Sequence, residues 1–268
     1  MRKSAAFLIV PLLVASLSGQ QPAPPAGTAA QPAAAPSGPE VAAAITRLLA
    51  NDARMRDWAQ LGRYRDANRA LPAPAASESR VVFMGDSITD AWPQPRFGDY
   101  FTKNPSYVGR GIGGQTTPQM LIRFRPDVIA LRPKVVVILA GTNDIAGNTG
   151  LMSNEEIQNN LMSMAEIAKA NNVKVVFSSI LPISNYHVAP NGIPQTQARP
   201  MERIRVLNDW MKKYAAAQGH FYLDYFSAML DQSGLLRTEL SGDDLHPNAQ
   251  GYAIMAPLAD AAIKQALR

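Results

Sequence analysis

A serine that could act as a nucleophile stands at the end of an apolar run in this sequence. Residues 81–84 are apolar and are bounded by polar residues and a glycine, a pattern that predicts a short buried strand. Ser87 follows this run in Gly85-Asp86-Ser87. In open parallel sheets, ligands bind beyond the carboxyl ends of the strands, so Ser87 is a candidate nucleophile. Asp86 or Ser87 in this position is also typical of a helix cap.

A serine nucleophile needs a base, and the chain has three histidines. For His187 and His220, a surface or packing role is the default interpretation. His246 differs because Asp243 precedes it by three residues in one loop and can accept its Nδ1 proton, which leaves Nε2 free for the serine. Asp244 is one residue nearer to the histidine. It stays an alternative acid, although we expect its side chain to face solvent.

Ester or amide hydrolysis through a serine also needs donors for the negatively charged oxygen of the tetrahedral intermediate. Three donors are candidates: the backbone N–H groups of Ser87 and Gly114 and the side-chain amide of Asn143. Gly114 ends a glycine-rich stretch whose backbone can approach a ligand closely. Asn143 follows a buried apolar run and a glycine. The alternatives are a tight turn at Gly114 and a helix cap at Asn143.

Four short motifs that contain these residues resemble those of the SGNH (GDSL-like) hydrolase family, in its platelet-activating-factor acetylhydrolase-like branch. They lie at 85–87, 111–117, 141–144 and 243–247, in the family's order. The resemblance implies a Ser87, His246 and Asp243 triad, and an oxyanion hole of Ser87, Gly114 and Asn143. It also implies a flavodoxin-like three-layer α/β/α fold and ester hydrolysis without a metal or other cofactor. Arg110 departs from the family pattern, in which many members have asparagine.

The elements that must position these residues alternate between strand and helix. Apolar runs predict strands at or near 81–84, 107–108, 135–139, 173–180 and 221–223. Helical repeats are predicted at 153–171, 200–218 and 248–267, and another follows the second motif. Because several strands are apolar on both faces, we expect a five-stranded parallel sheet with helices on both sides. The glycine, asparagine and serine residues at the strand ends then place the site on one edge of the sheet.

The part of the chain before residue 76 has a different character. Residues 1–20 join a basic start to an apolar stretch that is short for a membrane span, which predicts a signal peptide. Residues 21–39, rich in proline and alanine, predict a disordered linker. Residues 40–75 predict a helical N-terminal extension packed on the sheet, and 76–268 the hydrolase domain. We therefore expect an exported protein, periplasmic or extracellular, without stable membrane insertion after signal cleavage.

Composition excludes several classes of function. The chain has no cysteine, which excludes thiol catalysis, zinc–thiolate sites and disulfides. Its formal charge of +5, of which Arg2 and Lys3 supply two, is too small to indicate nucleic-acid binding. The local basic group is expected to form a solvated face; it comprises Arg123, Arg125, Arg132 and Lys134.

These observations predict an exported serine esterase acting on a small-molecule or glycan ester. A short acyl group, such as acetyl on a carbohydrate, suits the expected location. The alternatives are a lysophospholipase or thioesterase for longer acyl chains and a catalytically silent carbohydrate-binding relative. A dinucleotide site is a further reading, because Gly109, Gly111 and Gly114 match G-x-G-x-x-G with Asp127 downstream. It is disfavoured because the preceding strand is weak and the Ser, Asn and His motifs would go unexplained.

Overall fold

The computed structural model of the chain describes residues 37–188 and 192–268. The predicted signal peptide, and the predicted linker up to residue 36, lie outside the described residues. The described residues fall into two units that divide between Leu48 and Leu49. In the first unit, residues 38–48 are helical, and the side chain of Leu48 is 67% exposed. No helix in the described ranges combines the length and apolar character needed to cross a bilayer.

The second unit is built on a sheet of parallel strands. The strands are β1 (Val81–Gly85), β2 (Tyr107–Gly111), β3 (Val135–Leu139), β4 (Lys174–Ser178) and β5 (Phe221–Leu223). Their order is β2-β1-β3-β4-β5, and every neighbouring pair is parallel, which confirms the predicted five-stranded α/β fold. The chain order reverses between β1 and β3, so their carboxyl ends form the switch point at which such sheets bind ligands.

The described residues also form helices. They are α1 (Gly38–Arg56), α2 (Arg65–Ala70), α3 (Ser87–Ala91), α4 (Tyr100–Lys103), α5 (Thr117–Asp127), α6 (Thr142–Ile145), α7 (Asn154–Ala170), α8 (Gln195–Ala198), α9 (Met201–Gln218), α10 (Tyr225–Met229) and α11 (Ala249–Ala266). Short 3-10 helices lie at Pro95–Phe97, Ile129–Leu131 and Thr238–Leu240. Helices α5, α7 and α9 pack on one face and α10 and α11 on the other, which makes three layers.

The sequence explains why these layers form. Alternate residues of β1 enter different cores: Val82 and Met84 pack on one face, and Val81 and Phe83 on the other. A strand that is buried on both faces has a continuous apolar sequence, and β1 has the one that the sequence analysis describes. Gly111, at the end of β2, lets α3 pack against the sheet, because a Cβ there would lie 2.0 Å from the backbone nitrogen of Asp90. The glycines of the second motif therefore include one required by packing.

The segment 40–75 is not one continuous helix. Helix α1 ends at Arg56, and the carboxylate of Asp57 accepts hydrogen bonds from the backbone N–H groups of Leu61 (2.7 Å) and Gly62 (2.8 Å). Side chains that bind the backbone in this way compete with helix formation. The sequence predicts that residues 40–75 are helical and pack on the sheet. The turn after Arg56 instead contacts the loop that follows β2.

Candidate active site

Asp86 and Ser87 form the first turn after β1. The Oδ1 atom of Asp86 accepts a hydrogen bond of 3.0 Å from the backbone N–H of Ile88, so Asp86 is the N-cap of α3. Ser87 is the first residue of that helix, and its Oγ lies 2.9 Å from Nε2 of His246. Both interpretations of the motif hold together, because Asp86 caps the helix while Ser87 contacts the histidine.

Asp243 holds the other side of the His246 ring. Its Oδ2 lies 2.6 Å from Nδ1 of His246, and its Oδ1 accepts the backbone N–H of the same histidine at 2.8 Å. Burial raises the pKa of Asp243, but the hydrogen bonds from His246 outweigh burial, so that its pKa lies below the ordinary value. An ionised carboxylate only accepts, so Nδ1 carries the proton and Nε2 can accept the hydroxyl hydrogen of Ser87.

Asp244 does not face solvent, and that expectation is wrong. Its side chain is 2% exposed and accepts hydrogen bonds from Ser184 Oγ (2.5 Å) and the backbone N–H of Tyr186 (2.9 Å). It also accepts from the backbone N–H (2.8 Å) and Nδ1 (3.0 Å) of His187. The backbone of Asp244 is left-handed (φ 67°), and its side chain points toward residues 184–187 and not toward solvent. Asp244 therefore fixes the loop after β4.

Gly114 lies on the loop after β2, and Asn143 lies in the short helix α6 that follows β3. Gly114 has a φ of 76°, and its carbonyl accepts a hydrogen bond of 3.0 Å from Nδ2 of Asn148. Asn143 is 4% exposed and donates one amide hydrogen to the carbonyl of Gln115 at 3.0 Å. A carboxamide has two such hydrogens, so a second one is available for an oxyanion. The N-cap of α6 is Gly141, so Asn143 is not a helix cap.

The loop that carries Gly114 passes directly beside the serine. A Cβ built on Gly113 would lie 3.8 Å from Cβ of Ser87, and the Gly113 N–H donates to Oδ2 of Asp90 at 3.3 Å. The hydroxyl of Ser87 and the backbone near Gly114 therefore share one edge of the sheet. A hollow of about 520 Å³ opens there; its lining includes Ser87, Ala91, Arg96, Phe97, His246 and Tyr252.

Arg123 has a role that sequence analysis missed. The expectation of a solvated side chain is wrong, because Arg123 is fully buried. Its guanidinium donates to the carbonyl of Gly85 (2.9 Å), the carbonyl of Arg110 (2.8 Å) and Oε1 of Gln115 (2.5 Å). It thus connects the strand end before Ser87 to the loop that carries Gly114. The spacing of Arg123 and Asp127, four residues apart on one helix, is the sequence signal for this buried pair.

Asp127 is engaged in the same network. It forms an ion pair with Arg123 at 3.1 Å and accepts a hydrogen bond from Nδ2 of Asn68 at 2.7 Å. In the dinucleotide interpretation, this carboxylate would bind a ribose hydroxyl. Because its oxygens already bind Arg123 and Asn68, the structure does not support that interpretation.

Arg110, where many family members have asparagine, contacts two residues that precede the hydrolase motifs, Tyr64 and Asn68. The Nε atom of Arg110 donates to Oδ1 of Asn68 at 2.8 Å, and its guanidinium lies 4.8 Å from the ring centre of Tyr64. The hydroxyl of Tyr64 donates to the carbonyl of Gly111. The second motif is therefore supported from outside the hydrolase motifs.

The site residues all fall within one family match. A model of the GDSL-like Lipase/Acylhydrolase family matches residues 83–254. Platelet-activating factor acetylhydrolase IB subunit alpha2 from Homo sapiens is 26% identical over 68% of this chain and 75% of its own length. The uncharacterized lipoprotein YqeF from Bacillus subtilis is 34% identical over 30% of this chain, and the match covers 34% of that lipoprotein.

Solved structures share the fold. A GDSL-like lipase from Bacteroides thetaiotaomicron is 41% identical with a TM-score of 0.70, covering 78% of this chain and 98% of that one. The acetylxylan esterase Axe2 from Geobacillus stearothermophilus, solved as a catalytic mutant, is 20% identical with a TM-score of 0.57. That match covers 72% of this chain and 96% of the esterase. At this identity, the likeness to Axe2 concerns the fold alone.

Proposed function

The chain belongs to the GDSL-like lipase/acylhydrolase family and is an ester hydrolase, and from this premise we propose that it is an exported serine esterase for short acyl esters of carbohydrates. One observation carries the proposed mechanism: Ser87, His246 and Asp243 are joined by hydrogen bonds of 2.9 and 2.6 Å. This arrangement can make a serine hydroxyl nucleophilic.

In the first half of the proposed reaction, Oγ of Ser87 attacks the ester carbonyl while Nε2 of His246 takes its proton. Asp243 keeps the imidazole in the required tautomer and stabilises the imidazolium. The carbonyl oxygen becomes negatively charged and accepts hydrogen bonds from the Ser87 and Gly114 N–H groups and the Asn143 amide. Collapse of the intermediate breaks the ester bond, and His246 protonates the departing alcohol.

In the second half, water releases the acyl group. His246 takes a proton from the water as it attacks the acyl-Ser87 carbonyl, and the same donors hold the oxyanion. Ser87 then leaves with the proton from His246, and the carboxylic acid is the product. Every proton in this cycle passes through Nε2 of His246, so no further acid or base is required.

Support for a short acyl group on a carbohydrate comes from the comparisons and from the expected location. Two of the comparison proteins are an acetylxylan esterase and an acetylhydrolase, and both names specify acetyl. An exported enzyme would meet acetylated glycans outside the cell. The longer-chain alternative predicts the opposite dependence on acyl length.

A substrate series tests this function. Purified protein should hydrolyse p-nitrophenyl acetate faster than the butyrate and octanoate esters, and should release acetate from acetylated oligosaccharides. An organophosphonate should label Ser87 and abolish both activities. Faster turnover of octanoyl esters or of lysophosphatidylcholine would support the alternative, and an active Ser87→Ala variant would exclude Ser87 as the nucleophile.

Export has its own test. Expression of the full chain in a bacterial host should yield protein in the periplasm or medium whose first residue, by mass spectrometry, lies near residue 20. Recovery of the protein in the cytoplasm with residues 1–20 intact would contradict the proposal. Truncation before residue 21 should abolish export and preserve esterase activity.

A further inference from the structure

A second hollow, of about 490 Å³, opens beside Gly114 and lies within the size range of small-ligand pockets, about 300–1,000 Å³. It is distinct from the hollow at Ser87. Its lining includes Trp58, Gln60, Gly113, Gly114, Asn148 and Thr149. Trp58 and Gln60 precede the segment that the family model matches, so one wall of this hollow comes from outside the family match.

The wall that contains Trp58 is hydrogen-bonded to Gln115 and Gln119, which also line the hollow. The carbonyl of Trp58 accepts a hydrogen bond of 2.7 Å from Nε2 of Gln119. The carbonyl of Ala59 accepts one of 2.8 Å from Nε2 of Gln115. Ala59 is 4% exposed, whereas the adjacent Trp58 is 42% exposed. The turn is therefore anchored through its backbone while the indole stays open to solvent.

The opposite wall is anchored in a similar way. Nδ2 of Asn148 donates to the carbonyl of Gly114 at 3.0 Å, and Oγ1 of Thr149 lies 2.9 Å from Oγ1 of Thr116. Both walls are thus hydrogen-bonded to the segment that carries Gly114. A ligand held between them would have a defined position relative to the proposed oxyanion hole.

The chemistry of this lining selects among ligands. None of the described residues that line the hollow carries a charge, so a phosphate group would find no cation there. The exposed indole offers a negatively polarised face to C–H groups, and the carboxamides and hydroxyl offer neutral hydrogen-bonding partners. A sugar ring presents both C–H faces and hydroxyl groups.

We propose that this hollow, the Trp58 subsite, binds a sugar ring of the ester substrate by stacking on Trp58 and hydrogen bonding to Gln60 and Asn148. The proposal rests on the proposed esterase function and specifies its substrate as a glycan ester longer than one sugar unit. The first sugar would carry the reacting ester, and a neighbouring sugar would occupy the Trp58 subsite.

Steady-state kinetics of a Trp58→Ala variant test this subsite. The backbone carbonyls that anchor the turn stay in place in the variant. KM for acetylated xylo-oligosaccharides should rise about tenfold, the upper range for one aromatic contact, with kcat within twofold. The kinetics with p-nitrophenyl acetate should not change. Trp58→Phe should keep most of the affinity, and Leu61→Ala, at an exposed apolar position of the same segment, should behave as wild type.

Equal losses with both substrates would mean that Trp58 only supports the loop, and no change with either would also overturn the subsite. If wild-type protein hydrolyses p-nitrophenyl acetate through Ser87 but Trp58→Ala leaves the glycan KM unchanged, only the subsite fails. If Trp58→Ala raises KM for lysophosphatidylcholine but not for glycans, the subsite binds a lipid and the sugar proposal is wrong. Calorimetry should show that Ser87→Ala protein binds acetylated xylotetraose about tenfold more tightly than Ser87→Ala/Trp58→Ala protein.

Discussion

Asp243 and Asp244 are adjacent in the chain, yet their carboxylates bind different histidines. Asp243 contacts Nδ1 of His246 at 2.6 Å, and Asp244 contacts Nδ1 of His187 at 3.0 Å. The first histidine reaches Ser87, and the second belongs to the loop after β4. Two neighbouring acids thus serve the proposed chemistry and the loop structure separately.

Substitution of these two acids by asparagine should therefore give opposite results. Asp243→Asn should lower kcat by about 10³–10⁴-fold, because the imidazole loses the acceptor that fixes its tautomer, with little change in melting temperature. Asp244→Asn should keep kcat within a few fold but melt earlier, because its buried carboxylate accepts four hydrogen bonds. Kinetics and thermal melts of both variants measure this. A larger loss of kcat in Asp244→Asn would reverse the assignment.

Removal of the Asn143 amide should mainly affect the transition state. Asn143→Ala should lower kcat by about 10²–10³-fold and leave KM within a few fold, as expected for one oxyanion donor. Loss of its hydrogen bond to the Gln115 carbonyl should cost about 1 kcal/mol of unfolding free energy. Normal hydrolysis by a variant with a lowered melting temperature would remove Asn143 from the proposed site.

The buried Arg123–Asp127 pair allows stability and activity to be separated. Arg123→Met should destabilise the protein by about 3–5 kcal/mol, because Asp127 is left buried without its ion partner. Arg123→Met/Asp127→Asn should recover part of this stability. Activity should stay low in both variants, because the carbonyls of Gly85 and Arg110 have lost their common donor. Chemical denaturation and p-nitrophenyl acetate kinetics check this; full activity in the double variant would exclude a positioning role for Arg123.

Stability should depend on pH through Asp86. Burial raises the pKa of Asp86 from 3.8 to about 6. The folded protein then binds this proton more tightly than the unfolded chain, so the stabilisation is complete below pH 3.8 and is lost as pH rises to about 6. The loss amounts to about 3 kcal/mol.

An Asp86→Asn variant isolates this effect, because asparagine keeps an oxygen for the N-cap. The unfolding free energy of wild type minus that of the variant should fall by about 2 kcal/mol between pH 4 and pH 7. Denaturant titrations at a series of pH values measure the difference. Asp66→Asn is a control at an exposed carboxylate. A difference that is the same at all pH values would show that Asp86 does not titrate in this range.

The parts of the fold and site that depend on local pattern could be predicted from the sequence. The apolar run at 135–139 matches β3 residue for residue, and the three-residue spacing of Asp243 and His246 matches their hydrogen bonds. The sequence predicts β2 only around 107–108, because Gly109 and Gly111 weaken the strand pattern, yet pairing with β1 extends it to Gly111.

The remaining features depend on partners distant in sequence. Arg123 is charged, which predicts an exposed side chain. It is buried in the structure, and the Gly85 carbonyl to which it donates lies 38 residues earlier. Asp244 is buried because Ser184, 60 residues earlier, donates to it. Local charge predicts exposure, and only the assembled fold provides the hydrogen bonds that offset the cost of burying charge.

The hydrogen bonds between residues 58–68 and residues 110–119 bear on how this enzyme can change by recombination. Gln115, Gln119 and Arg110 all bind partners in that earlier segment, although the four hydrolase motifs begin only at residue 85. A gene exchange that transferred the motif-bearing region alone would separate these pairs and leave polar groups without partners. Residues 58–68 and the motif-bearing region should therefore be inherited together. The smallest segment that can be exchanged intact then begins near residue 57.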